Sequence, residues 1–235
     1  MKNNDKNEQF YYQVKFIIVG DIFVGKTKIY YRYVNGDFDN KYKPTIMFDF
    51  LYQNIKINDS NFVLQLWDTA GCEEYKSITR TYFNNCACCI FVYDITKEET
   101  FKSIRDWIEE VNSNNTNKDI IFILVGNKYD LQEERKITQE QANAIANEYN
   151  MEFFETSALN GYNIDEIFNR ACEKIYENIN NNIYDLDGEE ETCGIKKCFN
   201  KIDQEFNASS KQIKFSLKKN KNSVHKKKEK KMLNK

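Results

Sequence analysis

Between an apolar run and a helical stretch the chain reads GDIFVGKT, Gly20 to Thr27, which satisfies the pattern G-x-x-x-x-G-K-[ST]. A loop of this kind, with Asp21, Ile22, Phe23, Val24 and Gly25 between its ends, offers backbone N–H groups and a helix N-terminus to phosphate oxygens. Lys26 would reach the terminal phosphates and the Thr27 hydroxyl would bind Mg²⁺. Further on, LQLWDTAGCEEYKS ends an apolar run in Asp68 and places Gly71 three residues later. A carboxylate there can hold the same cation through water, and Gly71 can bring a bare N–H to a γ-phosphate. Alone that spacing says little; after a phosphate loop it is specific. Another run ends in GNKYD, with Asn127, Lys128 and Asp130. An aspartate is a double acceptor matched to two neighbouring N–H donors on a guanine edge, and adenine has no such pair, so GTP is favoured over ATP. TSAL, Thr156 to Leu159, ends one more run, and Ser157, Ala158 and Leu159 can supply backbone N–H to the guanine O6.

Every one of these motifs follows an apolar segment, which says what must hold them. The first strand reads QVKFIIVG, and Lys26 to Val34 reads as a helix. A loop from Gly36 to Met47 holds the only proline, Pro44, and FDFLYQNIKI and NFVLQLWD flank NDS as an antiparallel hairpin. CCIFVYD, IIFILVG and EFFETSA then alternate with helical segments. Thr96 to Glu99, Thr138 to Gln141 and Asn163 to Glu166 each set a capping residue three positions before Glu or Gln. In the last helix Ile164, Ile167, Phe168, Ala171, Cys172, Ile175 and Ile179 make an apolar stripe for the sheet. The expected architecture is a three-layer α/β fold of the P-loop NTPase kind. It has a mostly parallel six-stranded sheet, one antiparallel hairpin strand, helices on both faces, and ligands beyond the carboxyl ends of the strands.

Composition divides the chain. Residues 1–12 are polar and expected to fray, 13–182 form the domain, and 183–235 read as a disordered tail, acidic and then basic. From Lys196 onward fourteen Lys face three acids, so of the net −2 the tail carries +11 and the remainder −13. Lys218 to Lys221 and Lys226 to Lys231 are suited to a reversible, salt-sensitive hold on anionic membrane, and nucleic acid is a poorer match. Seven Cys with one His, an odd count and no signal-like start point to reduced thiols in a cytoplasmic setting. Cys86, Cys88 and Cys89 read as core. The longest apolar run, CACCIFVY, is far too short to span a bilayer.

Four motifs in this order and spacing, across roughly residues 13 to 180, resemble the small GTPases of the Ras superfamily and within it the Rabs. The resemblance implies that Thr45, in KPTIMFDF, is a second Mg²⁺ ligand beside Thr27 and Asp68, that Phe38 packs on the guanine ring, and that Lys128 lies along the base. TIMFDF, WDTAGCEEYKSITRTYF and the short LQEERKI favour Rab over Rho, Ran or Arf. Phe50, Trp67 and Tyr82 match the aromatic triad with which Rabs meet effectors, and exposed aromatics are good interface anchors. Implied partners are effectors, an exchange factor and a GTPase-activating protein, acting on a monomer at the cytoplasmic face of endomembranes.

The departures matter as much. Cys72 stands where the family's Gln orients the attacking water. Ile22 and Phe23 replace small residues beside the phosphates, Met47 replaces a glycine, and Asn84–Asn85 stand for Arg-Gly. The last cysteine, Cys198, is 37 residues from the end, so terminal prenylation is not expected, and Lys2 excludes N-myristoylation. Two readings follow: a Rab-like switch of vesicle traffic that recruits effectors in its GTP form and hydrolyses slowly, or a GTP-dependent binding module with negligible hydrolysis. An unrelated P-loop ATPase or kinase is disfavoured by GNKYD.

Overall fold

Runs of buried β-branched and aromatic residues fix the sheet, and strand register decides where its ends fall. The computed structural model describes residues 10–38, 48–69, 76–186 and 193–199, and Tyr11–Cys198 form one unit. The elements are β1 (Phe10–Val19), α1 (Lys26–Asn35), β2 (Phe48–Ile57), β3 (Ser60–Thr69), α2 (Lys76–Phe83), β4 (Cys88–Asp94), α3 (Glu98–Lys102) and α4 (Ile104–Asn114). There follow β5 (Ile121–Asn127), a 3-10 turn (Tyr129–Glu134), α5 (Gln139–Glu148), β6 (Glu152–Thr156), α6 (Ile164–Asn180) and β7 (Ile195–Phe199). The strand order is β2-β3-β1-β4-β5-β6, with β7 added to β1. Only β2 and β3 pair antiparallel along that path, through a two-residue turn in which Asn58 takes a positive φ of 50°. This is the α/β phosphate-loop fold expected, with a seventh strand.

Register carries the function. Ile18 lies opposite Asp68 across β1–β3, Val19 opposite Phe91, Asp94 opposite Asn127, and Asn127 opposite Thr156. Parallel strands therefore deliver Gly20, Asp68, Asp94, Asn127 and Thr156 to one edge of the sheet, where no strand follows and loops can converge.

Burial holds that edge in place. All seven residues of β4 are buried. On one face Ile17, Phe91, Leu124, Trp107, Ile108 and Ile145 belong to a single core with α4 and α5, each burial contributing roughly 1.5–3 kcal/mol. On the other, Phe168 of α6 stacks on Tyr33 of α1 at 3.8 Å and meets Phe16 at 6.3 Å. The stripe of α6 lies as its spacing predicts, from Ile164 to Ile175, with Ile179 partly buried. Cys86, Cys88, Cys89 and Cys172 are free and buried, and burial pushes the Cys86 thiol up to about 12, as befits packing groups.

Of the three capping signals one forms as read. Thr138 accepts from Gln141 N while Gln141 returns a bond to the Thr138 N–H, a complete capping box. Thr96 instead bonds Asp94, leaving Lys97 as the N-cap of α3. Asn163, at a φ of 55°, stands at the N-cap of α6 but donates its amide to Glu155 O at 3.0 Å and makes no cap bond. In both cases the side chain donates to a partner outside the helix and makes no cap bond.

The ends of the chain also differ from the expectation. Residues 10–12 belong to β1, and 193–199, read as unstructured tail, contain β7. Ahead of β4, Ala87 N donates to Lys15 O, and the same edge of β1 is continued by Lys15 N donating to Gly194 O at 2.8 Å. Asn117 fastens the approach, its amide donating to Cys86 O at 2.9 Å and Cys193 O at 3.1 Å. Tyr184 is buried, its hydroxyl donating to Asp119 O and accepting from Asn178. Residues 1–9 and 200–235, including both Lys clusters, lie outside the described residues.

Candidate functional site

Where β1 ends, Gly20 and Gly25 permit a loop that no other residue would. Gly20 has φ 142° and a Cβ there would stand 2.2 Å from Val92 O; Gly25 has φ 98° and its Cβ would meet the Asn127 amide at 2.3 Å. Between them Lys26 curls its ammonium back into the loop, donating to Gly20 O and Asp21 O at 2.9 Å each. It is 5% exposed, and burial pushes its pKa down to about 8 against the attraction of Asp68 and Asp21. A buried cation in so unfavourable a place fits an anion that would lie in the loop.

At the start of α1 the Thr27 hydroxyl donates to Asp68 Oδ2 at 2.6 Å. Asp68 is fully buried, and the end of β3 is held by Thr69, whose hydroxyl donates to Ile18 O at 2.7 Å. A hydroxyl and a carboxylate at one point are hard oxygen donors that fit Mg²⁺ and not a soft metal. Thr45, Gly71 and Cys72, predicted to complete the site, lie outside the described residues.

Asn127 locks three loops together. Its amide donates to Val24 O at 2.8 Å, while its Oδ1 accepts from Thr156 Oγ1 at 3.2 Å and from Ala158 N at 3.3 Å. Asp130 Oδ1 accepts from the buried Ser157 hydroxyl, which orients the carboxylate at the predicted guanine edge. Lys128 adopts a left-handed φ of 71° and pairs with buried Asp94. Phe38 lies alongside α1, with Lys28 at 5.3 Å and the Arg32 guanidinium at 6.0 Å from its ring centre. Leu159 is exposed at the rim and Ala158 buried. The structure thus brings together the predicted residues from Gly20 to Thr27, Asp68, Asn127, Lys128, Asp130 and Ser157 to Leu159, with Phe38 beside Lys28 and Arg32 of α1.

Two of the departures sit on the outer lip. Ile22 and Phe23 are 45% and 54% exposed, and Phe23 holds φ 68°, a conformation that favours glycine. Phe50, Trp67 and Tyr82 form one partly exposed cluster, with ring centres 4.5 Å apart from Phe50 to Trp67 and 5.1 Å from Trp67 to Tyr82. Sequence reasoning missed the bonds that brace this site from behind. Trp107 Nε1 donates to Asp21 Oδ1 at 2.8 Å, Asp94 holds Lys128, and Arg32 reaches Ala158 O. No local motif marks them, because each joins segments far apart in the chain.

The arrangement can bind a polyphosphate with a hard cation at one end and a purine at the other. A family model described as "Ras family" matches residues 15–177. Ras-related protein Rab-13 of Mesocricetus auratus is 39% identical over 161 residues, 68% of this chain and 79% of its own length. Ras-related protein Rab-2B of Dictyostelium discoideum is 36% identical over 180 residues, 77% of this chain and 89% of its own.

Proposed function

The chain belongs to the Ras family, as a small GTPase of the Rab type, and from that premise we propose that it is a switch of vesicle traffic that recruits effectors in its GTP form and hydrolyses GTP very slowly unaided. The observation that carries this reading is the three-loop junction at Asn127. There the phosphate loop, GNKYD and TSAL are bonded into one pocket, with Lys26, Thr27 and Asp68 at its other end.

Bound Mg²⁺ would neutralise phosphate charge; the rest falls to the chain. Lys26 and the loop amides hold the phosphates, and Thr27 and Asp68, with Thr45, hold the cation. Asp130 selects guanine, fixed by Ser157. Positioning of the attacking water falls to residue 72. A Gln amide accepts from that water and donates toward the phosphoryl group at once, whereas the Cys72 thiol is shorter, a weak donor and a weak acceptor. Phe50, Trp67 and Tyr82 supply the apolar platform for an effector, and the basic clusters beyond residue 200 supply a reversible hold on anionic membrane.

Single-turnover hydrolysis of preloaded GTP tests the catalytic half. Cys72→Gln should raise the unaided rate roughly ten- to hundredfold, which corresponds to about 1.4–2.8 kcal/mol of restored positioning. A wild-type rate equal to that of Cys72→Gln would assign the water to another residue. The second reading, a binding module with negligible hydrolysis, is favoured by the bulk of Ile22 at the phosphate lip. It requires that neither protein turn over, even with an activating protein that supplies its own glutamine and arginine.

A further inference from the structure

We propose that Arg32, on the outer face of α1, is a positioning residue for the guanine end of the site and sets how long the nucleotide stays bound. The inference rests on the guanine-nucleotide reading above and adds a residue that no motif in the chain assigns to it.

The bonds of Arg32 reach both the TSAL segment and the turn that leads to Phe38. Its Nε donates to Ala158 O at 3.0 Å and its Nη2 to Leu159 O, gripping the TSAL segment from outside by its carbonyls. Its Nη1 donates to Gly36 O at 2.8 Å, and Gly36 N in turn caps α1 on Arg32 O at 2.9 Å. Its guanidinium also lies against Phe38, two residues beyond that cap. One planar fork therefore ties the segment expected to meet the guanine O6 to the turn that carries the ring expected to stack on the base.

The geometry explains why the grip matters. The peptide plane that carries the Leu159 N–H includes Ala158 O, and a plane bonded through its carbonyl oxygen cannot rotate freely, so Arg32 fixes the direction in which that N–H can address O6; the Ser157 N–H is spent on Tyr162 O. Asn127 restrains the inner end of the segment through Ala158 N. Gly161 N closes the turn on Ser157 O at 2.8 Å, and within it Leu159 is 48% exposed, where Arg32 adds its two bonds to Ala158 O and Leu159 O. Guanidinium suits the task because its donors are set at fixed angles and can engage two carbonyls in one plane, whereas an ammonium is a single point.

Release of fluorescent GDP from the full chain, chased with excess unlabelled GDP in Mg²⁺, reads the effect. Arg32→Ala should release GDP about ten- to hundredfold faster than wild type, the loss expected when charge-assisted bonds that hold a binding wall are removed. Arg32→Lys, keeping the charge and one donor, should fall between. Arg170→Ala, which breaks the ion pairs of α6 with Glu152 and Glu173 away from the pocket, should release GDP at the wild-type rate. The preference for GDP over ADP should drop with Arg32→Ala and not with Arg170→Ala. Wild-type release from Arg32→Ala, or equal acceleration by Arg170→Ala, overturns the assignment. If Arg32→Ala does not fold, Arg32→Lys decides, and wild-type release from it overturns the role of the fork. Wild type that takes up no GDP would overturn the nucleotide reading, and this inference with it.

Discussion

Asn127→Ala would remove a single side chain and undo three joints. Val24 O would lose its donor, and Thr156 Oγ1 and Ala158 N would lose their acceptor, all at a position that is 2% exposed. Each such bond contributes about 0.5–1.5 kcal/mol net, and a partner left buried without one costs about 1–3 kcal/mol. Gly25 adds a constraint, because its missing Cβ is what lets the Asn127 amide approach. Water admitted to the space left by the amide would satisfy part of the loss, so the expected cost is roughly 3 kcal/mol, on the order of a hundredfold in an equilibrium constant. Urea unfolding with and without saturating GDP separates the two places that cost can appear, a lower midpoint without GDP or a smaller shift on adding it. Asn127→Asp is the stricter variant, since it keeps shape and acceptor but sets a carboxylate oxygen against Val24 O, and it should cost at least as much. If Asn127→Ala matched wild type in both the midpoint and the GDP-induced shift, the three-loop junction would not be what assembles the site.

Asp130→Asn should move preference from guanine toward xanthine nucleotides, because a donor replaces an acceptor, and competition binding with both purines reads the change. In the nucleotide-free protein Lys26 titrates near 8, below its usual 10.5, while a bound phosphate would keep it charged; binding then takes up a proton above pH 8, and GDP affinity should fall up to about tenfold per pH unit above it. The nucleotide-free fold should gain stability through the same window, its folded-state value lying below the unfolded one; a flat affinity profile from pH 7 to 9.5 would contradict the first expectation, and a flat unfolding profile without nucleotide the second. Gly194→Ala places a Cβ 2.5 Å from Asn85 O at φ 70°, so it should cost about 1–3 kcal/mol in thermal unfolding and leave GDP release unchanged.

Much of the site was legible because parallel strands convert sequence order into position. A motif that ends an apolar run must stand at the carboxyl edge of the sheet, so GDIFVGKT, Asp68, GNKYD and TSAL were bound to meet. What could not be read were contacts whose partners are distant in sequence. Arg32 and Ala158 are 126 residues apart, and Trp107 and Asp21 are 86 apart. Nothing local to either member marks such a pair. β7 was hidden for another reason: IKKCF is short and carries two Lys, and its strand state depends on an edge of β1 that β4 leaves open. The displaced caps show the same logic on a smaller scale, since Thr96 and Asn163 each bond a partner outside the helix they precede.

Equilibrium competition shows whether the site between Lys26 and Asp130 takes guanine nucleotide with Mg²⁺. Full-length protein loaded with fluorescent GDP in Mg²⁺ is titrated with unlabelled GTP, GDP, ATP and ADP, and release is repeated after EDTA. GTP and GDP should displace the probe at concentrations at least about a thousandfold below those of the adenine nucleotides, the discrimination a site gains by hydrogen-bonding a polar edge. Release should be faster once the cation is withdrawn from Thr27 and Asp68. Displacement by ATP as readily as by GTP, or release indifferent to EDTA, would contradict that reading of the site.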